Sequence, residues 1–185
     1  MLTGVRRLNW LSACTEELFV HIYEQLMLFL QGTEEFPANT ELPIFLYIMS
    51  PGGDISPVFA WYDLLNSILS PRPNIIAVGT GSVASAAVIT LLSVPRNQRF
   101  VTPNTLIYLH QSNLPLPDGA YSASEIRGMK KCLDWGDKRY NEIIAFETGL
   151  SVRKIQNMRL HESVITPADA KRLGFVHDIL HLEQL

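Results

Sequence analysis

The chain has 185 residues, 47% hydrophobic and 18% charged, which is enough to bury a core and excludes disordered, collagen-like and coiled-coil proteins. Its formal charge is -3 with no long basic run, so no nucleic-acid surface is indicated. The distant cysteines Cys14 and Cys132 predict two reduced, buried thiols instead of a disulfide framework or a zinc site.

The N-terminal residues lack the features of a signal peptide, because Arg6 and Arg7 come late and polar residues follow them. Residues 75–94 carry no charge and are long enough for a membrane-spanning helix of about 20 residues. Glycines and polar residues at 79–82 interrupt this stretch, so we expect a buried strand, a glycine turn and a buried helix. With no membrane segment either, we expect a cytoplasmic protein.

Strand and helix patterns alternate along the chain, which predicts an α/β fold with a largely parallel sheet. Strands are expected at 7–11, 42–49, 75–78, 99–101, 105–110 and 175–180. Helices are expected at 15–30, from after Asp54 to about 69, and at 84–94, 122–148, 151–160 and 167–173. Ser122 or Ser124 would cap the long charged helix, and Gly149 would end it. No repeat or linker is found, so one domain over 1–185 is expected.

Two junctions between a strand and a helix are rich in glycine, and open α/β sheets carry their sites at such junctions. Ser50-Pro51-Gly52-Gly53 follows the most hydrophobic strand, where glycines leave backbone N–H groups available to an oxyanion. Gly79-Thr80-Gly81 has neither the lysine of a phosphate loop nor the complete dinucleotide fingerprint. Ser85, between small residues at a predicted helix start, is the better candidate, because the helix N-terminus favours an oxyanion beside its hydroxyl.

His110 ends a predicted strand, so its imidazole is expected at the sheet edge as a base for Ser85. Either residue alone is more often structural than catalytic. The ordered set of motifs is far more specific: SPGG, then G-x-x-A-S-A-A, then R-F-x-x-P-N, then a strand ending in His-Gln. This set resembles the proteolytic subunit of the Clp proteases, a serine peptidase family within the ClpP/crotonase superfamily.

The resemblance extends from about Arg6 to Leu180 and implies a ClpP-like fold with a protruding handle helix. It implies an endopeptidase that works by acyl transfer, with Ser85 as nucleophile and His110 as base. Ser82 is the competing serine, but only Ser85 lies at the family's interval from His110. No metal or organic cofactor is implied.

The resemblance also assigns supporting roles. The N–H groups of Gly53 and Ala86 would form the oxyanion hole. At the third triad position the family has aspartate, whereas this chain has Glu162, which would have to orient the imidazole. The arginine that commonly follows the aspartate is replaced by Ser163, and the family's glycine-rich handle strand is replaced by a proline-containing segment at 112–119.

By resemblance, the substrates are peptides and unfolded proteins, and the working form is a homo-oligomer, a heptameric ring or stacked rings, fed by an AAA+ unfoldase. Apolar residues of the long helix, among them Ile143, Ile144 and Phe146, would contact either a neighbouring subunit or their own sheet. Two alternatives to an active peptidase stay open. One is a catalytically silent ring subunit, and the other is a crotonase-type acyl-CoA enzyme, which does not need the pair of Ser85 and His110.

Overall fold

The computed structural model describes residues 6–32, 42–113 and 118–180. Within these residues, seven strands form one sheet in the order β1-β2-β3-β4-β7, while β5 pairs with β3 and β6 pairs with β5. All of the strand pairs are parallel except β5 with β6. The strands are β1 (Arg6–Trp10), β2 (Ile44–Ser50), β3 (Ile75–Ala84), β4 (Arg99–Val101), β5 (Leu106–Tyr108), β6 (Val164–Ile165) and β7 (Asp178–Ile179). The predicted α/β fold with a mostly parallel sheet is confirmed.

Helices flank this sheet at nearly all of the predicted places. They are α1 (Glu16–Gln31), α2 (Ile55–Asp63) with a π-helical turn at Leu64–Ile68, α3 (Ala87–Leu92), α4 (Ala123–Thr148), α5 (Val152–Leu160) and α6 (Pro167–Arg172). Ser122 begins α4 through a capping box with Glu125, and Gly149 ends it at φ 78°. In the described part of the chain, no helix combines the length and the apolar character needed to cross a membrane.

The predicted glycine turn at 79–82 is wrong, because these residues lie inside β3. Gly79 allows close packing there, since a Cβ at this position would lie 3.0 Å from Val83 and 3.1 Å from Val101. Gly81 adopts φ 57°, which marks the point where β3 exchanges one neighbour for another. Residues 77–79 pair with β4, whereas 82–84 pair with β5. The strand therefore continues to Ala84, and α3 begins only at Ala87.

A buried ion pair fixes the C-terminal end of α4 against the sheet. Arg99 is 1% exposed and pairs with Glu147, which also accepts a hydrogen bond from the Tyr62 hydroxyl. The Arg99 guanidinium also donates to the carbonyl oxygens of Leu92 and Val94 at 2.9 and 2.7 Å, at the end of α3. This arrangement gives α4 a defined position relative to α3, which follows the turn that carries the candidate nucleophile.

Three further expectations concern the two cysteines, the apolar residues of α4 and the handle segment. Cys14 is buried as predicted, but Cys132 is exposed on α4, so the prediction of a second buried thiol is wrong. Ile143 and Ile144 are buried in the core of their own subunit, whereas Phe146 is 81% exposed. Residues 114–117, half of the proline-containing handle segment 112–119, lie outside the described residues.

Candidate active site

Ser85 stands in the turn that joins β3 to α3. Its φ is 53°, in the left-handed region, which costs a residue other than glycine about 1 to 3 kcal/mol unless the surroundings hold it there. Its N–H donates to the Tyr108 carbonyl at 2.9 Å, and its own carbonyl accepts from the Val88 N–H at 3.0 Å. The hydroxyl of Tyr140, on α4, also donates to that carbonyl at 2.7 Å. Three elements therefore hold this turn, and the side chain of Ser85 stays partly exposed.

The glycine-rich loop after β2 packs directly against Ser85. A Cβ on Gly52 would lie 2.5 Å from the Ser85 Cβ and 3.1 Å from its Oγ, and φ at Gly52 is 95°. Only glycine fits this position, because any side chain would overlap the serine. The SPGG loop and Ser85, predicted separately from the sequence, are thus neighbours in the fold.

Cys14 anchors the SPGG loop from the opposite side. Its N–H donates to the Gly52 carbonyl, and its carbonyl accepts from the Asp54 N–H, both at 2.8 Å. The thiol is buried beside Trp10 and Ser50, and this burial raises the pKa of Cys14. Sequence reasoning missed this role, since an isolated cysteine in a loop carries no pattern that would indicate it.

One candidate oxyanion donor, Ala86, directly follows Ser85, and the other, Gly53, belongs to the loop that packs against Ser85. Gly53 follows the glycine in contact with the serine, and its N–H donates no hydrogen bond within the part of the chain that the structure describes. The same holds for the N–H of Ala86, which immediately precedes α3. Free N–H groups beside a serine hydroxyl are the arrangement that stabilises the oxyanion of a tetrahedral intermediate.

His110 lies two residues after β5 and is partly buried. Because the Ser85 N–H binds Tyr108, the backbone brings the serine turn next to the segment that carries the histidine. The Nδ1 atom lies 2.6 Å from the Gln111 carbonyl oxygen. A carbonyl only accepts, so Nδ1 carries the proton, and Nε2 is left unprotonated in a neutral ring. Within the described residues, no hydrogen bond joins this ring to Ser85.

The backbone beside Glu162 is hydrogen-bonded to the backbone beside His110, but the side chains of the two residues make no hydrogen bond to each other in the described structure. The neighbouring residues are joined by the hydrogen bond from the Leu109 N–H to the Ser163 carbonyl at 3.0 Å. The Glu162 side chain is exposed, and no hydrogen bond links it to the imidazole in the described structure. Its φ of 46° is again unusual for a residue other than glycine. The fold therefore brings Ser85 against the SPGG loop, pairs its turn with the segment that leads to His110, and leaves the Glu162 side chain exposed.

Comparison with known proteins identifies the family of this chain. The family described as Clp protease matches residues 2–183. Among solved structures, a single-residue variant of ClpP1 from Listeria monocytogenes is similar, with a TM-score of 0.79 and 27% sequence identity. That match covers 97% of this chain and 94% of the ClpP1 chain. The chain therefore belongs to the Clp protease family, as a ClpP-like protease subunit.

Proposed function

We propose that this chain is an active serine endopeptidase that hydrolyses peptide bonds of unfolded proteins. The observation that carries the proposal is the left-handed turn at Ser85, held by backbone hydrogen bonds beside the strand end that carries His110. Strained backbone of this kind persists where the surrounding structure enforces it, and it concentrates at functional sites. The strained backbone at Ser85 therefore supports a functional role for this serine.

The proposed reaction is acyl transfer through a covalent intermediate. The Ser85 Oγ attacks the peptide carbonyl carbon while His110 Nε2 takes the hydroxyl proton. The Gly53 and Ala86 N–H groups stabilise the resulting oxyanion, a contribution of about 3 kcal/mol for each donor. The C–N bond then breaks as His110 returns the proton to the leaving amine. Water, deprotonated by the same imidazole, hydrolyses the acyl-enzyme and releases the serine.

Two groups are candidates for orienting the imidazole. The Gln111 carbonyl accepts from Nδ1 in this structure and selects the tautomer in which Nε2 can take a proton. We propose that Glu162 turns inward and takes over this role when substrate is bound, because a carboxylate also stabilises the imidazolium that forms. The backbone hydrogen bond between Leu109 and Ser163, which joins the neighbours of His110 and Glu162, supports this proposal.

Labelling with a fluorophosphonate probe tests the nucleophile directly. We expect the probe to modify Ser85 and Ser85→Ala to abolish labelling, because the probe reacts with an activated serine hydroxyl. The matched control is Ser82→Ala, which should label normally because Ser82 lies within β3, paired with Leu106. Modification at Ser82, or no labelling of the assembled protein, would refute the assignment.

The proposal extends to the assembly. We expect a homo-oligomeric ring or stacked rings that act in the cytoplasm, with an AAA+ unfoldase as partner. Exposed apolar side chains on α4, including Trp135 at 62% and Phe146 at 81%, supply surface for a neighbouring copy. Light scattering at micromolar concentration should give a mass of several subunits, whereas a uniform 20.8 kDa monomer would contradict this mode of action.

The exposed side chain of Glu162 favours one other function, that of a catalytically silent ring subunit. In that case, a paralogous chain in the same assembly would cleave the substrate. The fluorophosphonate experiment separates the two, because a silent subunit would assemble normally but remain unlabelled.

A further inference from the structure

Arg159, near the end of α5, is a buried cation with an unusually complete set of partners. It is 5% exposed, and its guanidinium donates to four acceptors. Two of these acceptors lie on α4: the Asp137 carboxylate, which forms an ion pair with it, and the Asn141 side-chain oxygen at 3.0 Å. Burying an arginine is costly unless it is paired and hydrogen-bonded, so this environment is specific for the guanidinium group.

The other two acceptors lie on the chain that leaves β5. The Nε–H of Arg159 donates to the His110 carbonyl at 3.0 Å, and Nη2 donates to the Ser112 hydroxyl at 3.0 Å. Ser112 in turn donates to Asp137. The segment 110–112 is therefore fastened at both ends to one guanidinium and its counter-ion. This segment includes the Gln111 carbonyl that contacts the imidazole.

Arg159 also reaches the nucleophile through one aromatic ring. Its guanidinium carbon lies 4.8 Å from the centre of the Tyr140 ring, which is a cation–π contact. Tyr140 donates its hydroxyl proton to the Ser85 carbonyl at 2.7 Å. Burial raises the pKa of Tyr140, so the hydroxyl remains a donor at all ordinary pH values. One side chain thus touches both the backbone that carries the base and the tyrosine that holds the nucleophile.

We propose that Arg159 is a positioning residue that sets the separation of Ser85 and His110. It does so by holding segment 110–112 in a fixed position against α4, the helix that carries Tyr140. The proposal rests on the function proposed above. Because a misplacement of about 1 Å between reacting groups can cost about 100-fold in rate, loosening either contact should slow the chemical step.

The first test is Arg159→Lys, which keeps the positive charge for Asp137 but lacks the planar fork that serves the other acceptors. We expect kcat for a fluorogenic peptide to fall by about 100-fold, with KM within twofold of the wild-type value. The rate of fluorophosphonate labelling at Ser85 should fall in parallel. The matched control is Arg172→Lys on α6, whose ion pair with Asp169 is largely exposed, and it should behave as wild type.

A double-mutant cycle tests whether the two contacts act as one unit. Tyr140→Phe removes the hydrogen bond to the Ser85 carbonyl but keeps the ring under Arg159, and we expect this variant to lower kcat as well. The combined variant with Arg159→Lys should lose less than the product of the single losses, since both changes release the same arrangement. Purely multiplicative losses, or Arg159→Lys activity within twofold of wild type, would overturn the proposal.

Amide hydrogen exchange gives a measure that does not depend on activity. Arg159→Lys should increase exchange in residues 109–113 and in 85–88, whereas β1 and β2 should be unaffected. Unchanged exchange in both segments would overturn the positioning role even if kcat fell. If the wild type has no activity, the proposed function fails, and the exchange result alone decides whether Arg159 holds the two segments together.

Discussion

A single methyl group at Gly52 should displace Ser85, the proposed nucleophile, without disturbing the sheet. In Gly52→Ala, the added Cβ would lie 2.5 Å from the Ser85 Cβ and 2.9 Å from the Ala84 carbonyl oxygen. Carbon atoms in contact are normally at least about 3.5 Å apart, so Ser85 or the loop has to move by about 1 Å. A displacement of that size should lower turnover and fluorophosphonate labelling by about 100-fold.

The loss of unfolding free energy in this variant, compared with that in a control, separates the effect of atomic overlap from that of backbone strain. At φ 95°, alanine costs about 1 to 3 kcal/mol, and the overlap adds about 1 to 3 kcal/mol. Gly81→Ala is the matched control. It also has a positive φ, 57°, but its Cβ would meet only Met49, at 3.4 Å or more. It should therefore lose only about 1 to 2 kcal/mol and keep most of its activity.

Thermal unfolding and labelling of the same samples would check both expectations. If Gly52→Ala labels as fast as wild type, the loop does not limit where Ser85 stands, and the contact argument is wrong. If Gly81→Ala loses activity to the same extent, positive φ in this region matters more than the contact between the loop and the serine.

Further substitutions address Glu162, the proposed third triad residue, and Glu147 of the buried ion pair. Glu162→Gln should leave the assembly intact but lower turnover by up to about 10⁴-fold, because an amide does not stabilise imidazolium; Glu162→Asp should lower it less if the backbone is adapted to the longer side chain. Unchanged turnover in both would leave a Ser85–His110 pair oriented by a carbonyl. Glu147→Gln removes the partner of a guanidinium that is 1% exposed and should cost about 3 to 5 kcal/mol in unfolding free energy. Asp134→Asn breaks an exposed pair and should cost less than about 1 kcal/mol in the same measurement.

The sequence predicted most elements because their determinants are local. Ser122 and Gly149 delimit α4 through cap chemistry, and the apolar run of β2 indicates a strand, although only its alternate residues are fully buried and not both of its faces. The error at 79–82 arose because glycine breaks most strands, whereas here it permits close packing beside β4 and a change of neighbour. The two-residue strand β6 was missed, since it depends on pairing with β5 across more than fifty residues of chain.

The candidate site could be predicted only in part. The order of the motifs indicated Ser85, His110 and the SPGG loop as parts of one site. The contact between Gly52 and Ser85 agrees with this for the serine and the loop. Arg159 and Tyr140 were not identified, because their roles arise from contacts between distant parts of the chain. A buried arginine in a polar amphipathic helix has no local pattern that distinguishes it from a solvated one.

The change of partner along β3 divides the sheet into regions of unequal strength. The strands β2 and β3 are paired at six positions, whereas β3 with β5 has three and β5 with β6 has two. Ser85 directly follows β3, His110 lies two residues after β5, and Glu162 lies two residues before β6, so all three border the weaker region. Because local opening requires less free energy where fewer hydrogen bonds must break, this corner can open while the remaining sheet stays folded. Heat or denaturant should therefore inactivate the protein before it unfolds, and subunit contacts that cover this corner would raise the temperature at which activity is lost.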